Sequence, residues 1–379
     1  MTPAALSPKD KPESPLLYMA LDLSHRSWKV AFSDGQRQRI VTVRDKNTGA
    51  LQEAIGKARE KFRLPEGCQI VSCYEAGRDG FWLHRYLKSV GIKNLVVDSS
   101  SIETSRRKRK AKTDRIDAGK LLLMLIRHHG GERKHWSIVQ VPEAEDEDLR
   151  RVQREIDRLV KERGGHTARM RSLLNLHGIV VDKIGNDWPE ELATLQDWEG
   201  QPLGEHLRAE LLREHERLQL VREQIDELER EKQRLLEQAT EQASTLKQVQ
   251  QLLRLRGIGK ASAWLFVMEF FGWRQFRNRK QVASLAGLTP TPFGSGDKQL
   301  EQGISKAGNR RIRRMIVEIA WLWLRYQPQS EQSQWFETRF ANGGQRMRRI
   351  GIVAMARKLL IALWRYLEHG EIPKGAVLQ

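Results

Sequence analysis

"YMALDLSHRSWKVAF" (18–32) holds the reading on which the fold turns. Its two apolar runs, split by the polar "SHR", predict two short β-strands. "RIVTV" (39–43) predicts a third, and the three can form an antiparallel meander. Working outward, a helical stretch follows near 50–63, then "QIVSCYE" (69–75) reads as a buried strand. "GFWLHRYLKSVG" (80–91) reads as a helix and "NLVVD" (94–98) as another strand. Strands alternating with helices after a meander predict an α/β domain with a mixed sheet.

From Glu143 the texture changes to long helices. "EDLRRVQREIDRLVKER" carries apolar residues at 149, 152, 156, 159 and 160, an amphipathic spacing. Over 205–255 a heptad emerges: Leu211, Leu218, Ile225, Ala239, Leu246 and Leu253 share one position, Val221, Leu228, Leu235 and Val249 the other. Glu214, Lys232 and Gln242 interrupt it, so the stretch predicts an imperfect coiled coil or helical hairpin, serving a second copy or its own domain. "LRLRGIGKASAWLFVMEF" (253–270) places a Gly-Ile-Gly turn between helices, the pattern of a helix-hairpin-helix whose backbone N–H groups can hold a DNA phosphate. "SLAGLTPTPFGSGDKQLEQGISKAGN" (284–309) is rich in Gly, Pro, Ser and Thr and predicts mostly loop. Helices resume over 310–367. Trp321, Trp323, Trp335 and Trp364 fall there, most of them expected in the core and one or two free to stack on bases.

The chain has 379 residues, room for two or three domains. Lys and Arg outnumber Asp and Glu by 66 to 48, a formal charge of +18, which makes nucleic acid the first partner to consider. No apolar run reaches the roughly eighteen residues a membrane span needs. "MTPAALSPKDKPESP" (1–15) is polar and Pro-rich, a disordered lead by composition and not a signal peptide. Cys68 and Cys73 are too few for a disulfide framework or a Cys-type zinc site and point to a reducing cytoplasm.

Four acids stand out by position. Asp22 ends the first strand, Glu75 ends the fourth, and Asp114 and Asp117 open the apolar helix of "KTDRIDAGKLLLML" (112–125). Residues three apart on a helix face one way, so the two aspartates can address one point. If strands one and four are neighbours, four hard oxygen donors could converge there and suit Mg²⁺. Singly, each acid could equally cap a turn or complement a helix dipole. Just upstream, Arg106, Arg107, Lys108, Arg109, Lys110 and Lys112 form a dense basic block suited to polynucleotide phosphates.

"ALDLSHRSWKVAF", "CYEAGRDGFWLHRYL" and "KTDRIDAGKLL" resemble the acidic segments of a DEDD, RuvC-like (RNase H-like) nuclease domain. With "LRGIGKASA", "ASLAGLTPTPFGSG" and "ISKAGNRRIRR" they resemble, in order over roughly 16–367, the transposases of insertion-sequence family one-ten, its eleven-eleven subgroup included. After the lead (1–15), which composition marks as disordered and which lies outside the pattern, the resemblance implies a RuvC-like domain (16–142), a helical coiled-coil middle that dimerises (143–252) and a mainly α transposase domain with a helix-hairpin-helix (253–379). It implies Mg²⁺ on Asp22, Glu75, Asp114 and Asp117, and a nucleophilic serine, which falls on Ser295 in "PTPFGSGD". It implies a structured noncoding guide RNA (the bridge RNA) that pairs with donor and target DNA, and dimers pairing into tetramers. It implies no membrane partner and a setting in the bacterial cytoplasm and at the nucleoid. Gly257, Gly259, Lys260, Ser305, Lys306, Asn309, Arg310 and Arg311 are the expected further nucleic-acid contacts. Read without the family, Gly294–Ser295–Gly296 is first a flexible turn, and Ser305 a helix N-cap or phosphate contact. Residues 178–205 match nothing in the pattern. Two rivals stand beside the serine recombinase: a metal-only, junction-resolving nuclease, and a non-enzymatic nucleic-acid scaffold.

Overall fold

The computed structural model describes residues 15–102, 114–133, 135–240, 244–295 and 298–379, the side chains of 100, 114–116, 293–295 and 298–302 excepted. The basic block at 106–112 and Gln242 lie outside the described residues. The chain divides into two compact units, Met1–Val141 and Pro142–Gln379.

In the first unit, β1 (Leu16–Leu23), β2 (Ser27–Ser33) and β3 (Gln38–Arg44) form the expected antiparallel meander. Helix α1 (Thr48–Phe62) starts where the Asn47 side chain accepts from the Ala50 N–H at 2.8 Å. It crosses over to β4 (Gln69–Glu75), which pairs parallel with β1, and α2 (Trp82–Ser89) leads to β5 (Lys93–Val97), parallel to β4. The five-stranded order is β3-β2-β1-β4-β5.

Alternation assigns the two faces of this sheet. Leu17, Met19, Leu21, Trp28, Val30 and Phe32 pack with Leu51, Ile55, Leu83 and Leu87 of α1 and α2. Tyr18, Ala20, Ala31, Val71 and Cys73 face α3 (Asp114–His129), which lays Ala118, Leu121, Leu122 and Leu125 on them. Both faces are therefore covered, and the sheet is the core of a mixed α/β unit.

The second unit is mostly helical. Helix α4 (Ala144–Asn175) opens with Glu145, Asp146 and Glu147, acids that complement its dipole. Residues 178–205, unplaced from sequence, carry the short α5 (Trp188–Thr194), and Ile184, Trp188, Leu192 and Leu203 close a small core with Met170, Leu174, Leu211 and Leu218. Helix α6 (Glu205–Glu237) runs back antiparallel to α4: Arg169 near the end of α4 pairs with Glu210, and Gln153 near its start with Lys232. The heptad residues Leu211, Leu218, Val221 and Ile225 are thus buried within the chain, so the seam serves a helical hairpin of the protein's own.

Helix α7 (Ser244–Leu253) and α8 (Lys260–Phe266) flank the Gly-Ile-Gly turn, and α8 passes into a π-helical turn, Val267–Phe271. Then come α9 (Arg279–Leu285), β6 (Pro290–Ser295), β7 (Lys298–Ile304), α10 (Arg310–Tyr326), α11 (Glu331–Phe340) and α12 (Gln345–His369). Trp264, Phe266, Phe270, Ile316, Trp323, Leu359 and Leu363 centre their core. The β6–β7 hairpin corrects the expectation of mostly loop over 284–309. Its prolines, 290 and 292, are two apart and lack donors, which a two-stranded ribbon with a register shift between them tolerates.

Candidate active site

The parallel register of β1 and β4 runs from Leu16 beside Gln69 to Leu21 beside Tyr74. One step further along both strands come Asp22 and Glu75, the last residue of β4. Neighbouring strands lie about 4.8 Å apart, and residues level across a parallel pair point to the same face. By alternation that face is the one α3 covers, since Tyr18 and Ala20, Val71 and Cys73 pack on it.

Helix α3 runs back along β1. The Tyr18 hydroxyl, early in β1, lies 3.1 Å from His129 Nδ1 at the end of the helix, and the Cys73 thiol donates to the Leu121 carbonyl at 3.8 Å. The start of α3 therefore lies toward the strand ends that carry Asp22 and Glu75. Asp117, one turn before Leu121, stands at that end, half-buried and ion-paired with Lys120 at 3.1 Å. Burial pushes the Cys73 thiol well up, so it is an inert neighbour.

Three of the four sequence-nominated acids thus share one end and one face of the sheet. Asp114 is the first residue of α3, and its side chain lies outside the described residues. Among the described residues, no three His, Cys, Asp or Glu side chains stand close enough to hold a metal ion. The donors are all carboxylates, the set that hard, oxygen-seeking Mg²⁺ requires.

Ser295 ends β6, its backbone level with Lys298 of β7, and its side chain lies outside the described residues. The base of this hairpin is stitched to the end of α9. Ser305 N–H donates to the Thr289 carbonyl at 2.8 Å, Lys306 N–H to Gly287 at 3.1 Å and Asn309 N–H to Leu285 at 2.7 Å. Only glycine allows this approach. A Cβ on Gly287 (φ +68°) would meet the Ala307 carbonyl oxygen at 2.0 Å, and one on Gly308 (φ +97°) the Leu285 oxygen at 2.2 Å. The "AGLTP" and "SKAGN" segments are two sides of one contact.

Ser305 is not the helix cap its sequence suggested. Asn309 caps α10, its side chain accepting from the Arg311 and Ile312 N–H groups, while Ser305, Lys306 and Arg310 are exposed. Arg311 is engaged, ion-paired at 3.4 Å with both Asp157 and Glu269. Gly257 (φ +95°) packs its bare face on Tyr326, a structural reason for glycine there, and Ile258 is buried between it and Gly259. Lys260 is exposed and donates to Gln233 at 2.6 Å.

Sequence reading missed Glu269. It lies buried in the π-helical turn, bound by both arms of Arg154 at 2.5 and 2.9 Å, and its backbone carbonyl accepts from Arg274. Burial pushes its carboxyl up, but the hydrogen bonds of Arg154 and the charges of Arg154, Arg150 and Arg311 outweigh that and hold it below the ordinary range. The available signal was a lone acid inside the apolar run "WLFVMEFF" (264–271).

Comparison with known proteins falls on the same two regions. Residues 19–179 match a DEDD-type IS110 transposase model, and residues 249–335 match the model described as "Transposase IS116/IS110/IS902 family". The protein y4rJ of Sinorhizobium fredii, which carries a transposase's name, is 37% identical over 394 residues, covering 99% of each chain. The "Transposase for insertion sequence element IS1328" of Yersinia enterocolitica is 29% identical over 61% of this chain and 66% of its own. The "Transposase for insertion sequence element IS1111A" of Coxiella burnetii is 24% identical over 81% of this chain and 79% of its own.

Proposed function

The chain belongs to the IS116/IS110/IS902 family of transposases, enzymes of DNA recombination, and we propose that it works as an RNA-guided recombinase with a serine nucleophile. On this reading the first unit is a RuvC-like (RNase H-like) domain within 16–142, residues 143–252 form the helical middle, and residues 253–379 carry the serine. Ser295 Oγ attacks a DNA phosphorus and loses its proton. The P–O3′ bond breaks, the 3′ oxygen takes a proton, and a 5′-phosphoserine link remains. A 3′-hydroxyl from another strand reverses the step and rejoins the DNA without an outside energy source.

Asp22, Glu75, Asp114 and Asp117 are the residues that would hold Mg²⁺, whose charge would offset the charge building on the phosphate and the leaving oxygen. A structured noncoding RNA supplies sequence choice by pairing with donor and target DNA, while the protein grips its backbone. The assembly is a homodimer pairing into a tetramer, in the bacterial cytoplasm and at the nucleoid. The backbone-gripping residues are the 106–112 block, the Gly257–Lys260 turn, and Ser305, Lys306, Asn309, Arg310 and Arg311.

The observation that best supports this is the register that puts Asp22 and Glu75 level on adjacent parallel strands, beneath the start of α3. The test is denaturing electrophoresis of labelled DNA incubated with protein, RNA and Mg²⁺. Ser295→Ala is expected to abolish the protein–DNA adduct and strand exchange. Asp22→Asn and Glu75→Gln are expected to slow cleavage by about a hundredfold or more. Unchanged cleavage by Ser295→Ala, with loss in the acid variants, would instead make the protein a metal-only nuclease. Binding of DNA and RNA with no cleavage or adduct by the wild-type protein would leave the scaffold reading, and full cleavage by all three variants would place the chemistry on other residues.

A further inference from the structure

A cavity of about 340 Å³ opens in the second unit between α9, α11, α12 and the C-terminal segment 371–374. None of the residues to which a catalytic role was assigned lines it. Four cations do: Arg279, Lys358, Arg365 and Lys374, all exposed. Two carboxylates, Glu331 and Glu371, share the wall, so cations outnumber them two to one. The segment is fixed in place, because the Glu331 N–H donates to the Lys374 carbonyl at 2.9 Å and Gly375 (φ +75°) packs against the Gln329 backbone.

The wall also carries the means to recognise a base. Trp335 is partly buried, with the Lys358 ammonium 4.6 Å from its ring centre. Gln332 lines the same cavity, and its side-chain oxygen is buried without a hydrogen-bond partner among the described residues. Such an acceptor invites an N–H donor from outside the chain.

We propose that this cavity binds one unpaired nucleotide of a nucleic-acid strand. Its base stacks on Trp335, and a turn of the Gln332 side chain brings its now buried Oε1 into the cavity to accept from an exocyclic amino group. Arg279, Arg365 and Lys374 take the flanking phosphates. Lys358 now covers the ring, but its four-carbon stem is flexible, and an exposed cation–π contact is weaker than a phosphate hydrogen bond and a base stack combined. A base inside a duplex cannot enter, because its ring is already stacked and paired. The site therefore selects single-stranded or looped-out nucleotides, and DNA and RNA share the chemistry it reads.

Equilibrium binding tests this without any strand cleavage, so it is independent of the serine mechanism. The full chain is titrated against fluorescent twenty-nucleotide oligoadenylate as DNA and as RNA, and against a DNA duplex of the same length. Trp335→Ala is expected to weaken single-strand binding about tenfold, with duplex affinity unchanged. The surface pair Arg365→Ala/Lys374→Ala, which leaves the core intact, is expected to weaken it similarly and to lower the salt dependence by about two phosphate contacts. Strands bearing 8-azidoadenine, which keeps the exocyclic amino group, are expected to cross-link at or beside Trp335 under ultraviolet light. Tighter binding of one polymer names which strand docks there. Equal losses for duplex and single strand, or cross-links mapping only elsewhere, would overturn the proposal.

Discussion

A methyl group on Gly287 has nowhere to go, since the Ala307 carbonyl occupies its position and the backbone is left-handed. Gly303 shares the positive φ, at +83°, but a Cβ there would meet nothing within 4 Å among the described residues. Gly287→Ala is therefore expected to cost on the order of 3 kcal/mol, and Gly303→Ala about 1 kcal/mol, read from urea midpoints. Glu269 gives a second test at this scale. Its folded-state carboxyl titrates below its unfolded value, so its contribution is present above the ordinary carboxylate range and is lost as pH falls through the lowered value. Wild-type stability should drop through the acid range more steeply than that of Glu269→Gln, whose unfolding midpoint should be lower at neutral pH. Parallel pH profiles for the two proteins would refute this linkage. Asp22 and Glu75 were legible as candidates because each closes a strand-like run before a polar stretch. Their adjacency was not, because parallel pairing is made through the crossover helix α1 and leaves no local mark in the sequence.

At the scale of elements, the α4–α6 hairpin turns apparent flaws into fittings. Glu214 and Lys232, which break the heptad on paper, are buried in the seam and satisfied there. Glu214 meets His166 at 2.6 Å and Arg217 at 2.8 Å, and Lys232 Nζ meets Gln153 at 2.8 Å. Burial draws the Lys232 ammonium below its usual value, Glu229 opposing that, and the charge lies over the Trp264 ring. The Lys232–Gln153 bond links α6 to α4, and the cost of burying the ammonium largely offsets what such a bond returns. Lys232→Met, which keeps the volume, is expected to change unfolding free energy by less than about 1 kcal/mol, whereas Lys232→Ala should cost about 3 kcal/mol. Periodicity revealed these helices but not their partner, since an apolar seam carries no label for the helix that fills it. The β6–β7 hairpin was hidden for a different reason. Its Gly and Pro content is that of a loop, and only the cross-strand pairing from Pro290 beside Ile304 to Ser295 beside Lys298 makes it a ribbon.

For the whole molecule, a charge of +18 should make polynucleotide affinity steeply salt-dependent. With six to ten phosphate contacts, binding is expected to fall by about a thousandfold or more between roughly 50 and 200 mM salt, as fluorescence anisotropy would show. A shallow dependence would mean that the surplus cations serve something other than a phosphate backbone. The two units also differ in how they were read. The first follows alternating strands and helices that local pattern exposes, while the second joins residues far apart in the chain, such as Arg154 with Glu269 and Leu255 with Leu378. The glycine stitch at the hairpin base has a practical corollary for building chimeras between relatives. A graft cut within 290–304 would leave its foreign ribbon on a mismatched mount. One spanning 284–309 would bring both halves of the mount along, and with them the native pitch of the strand that ends in Ser295.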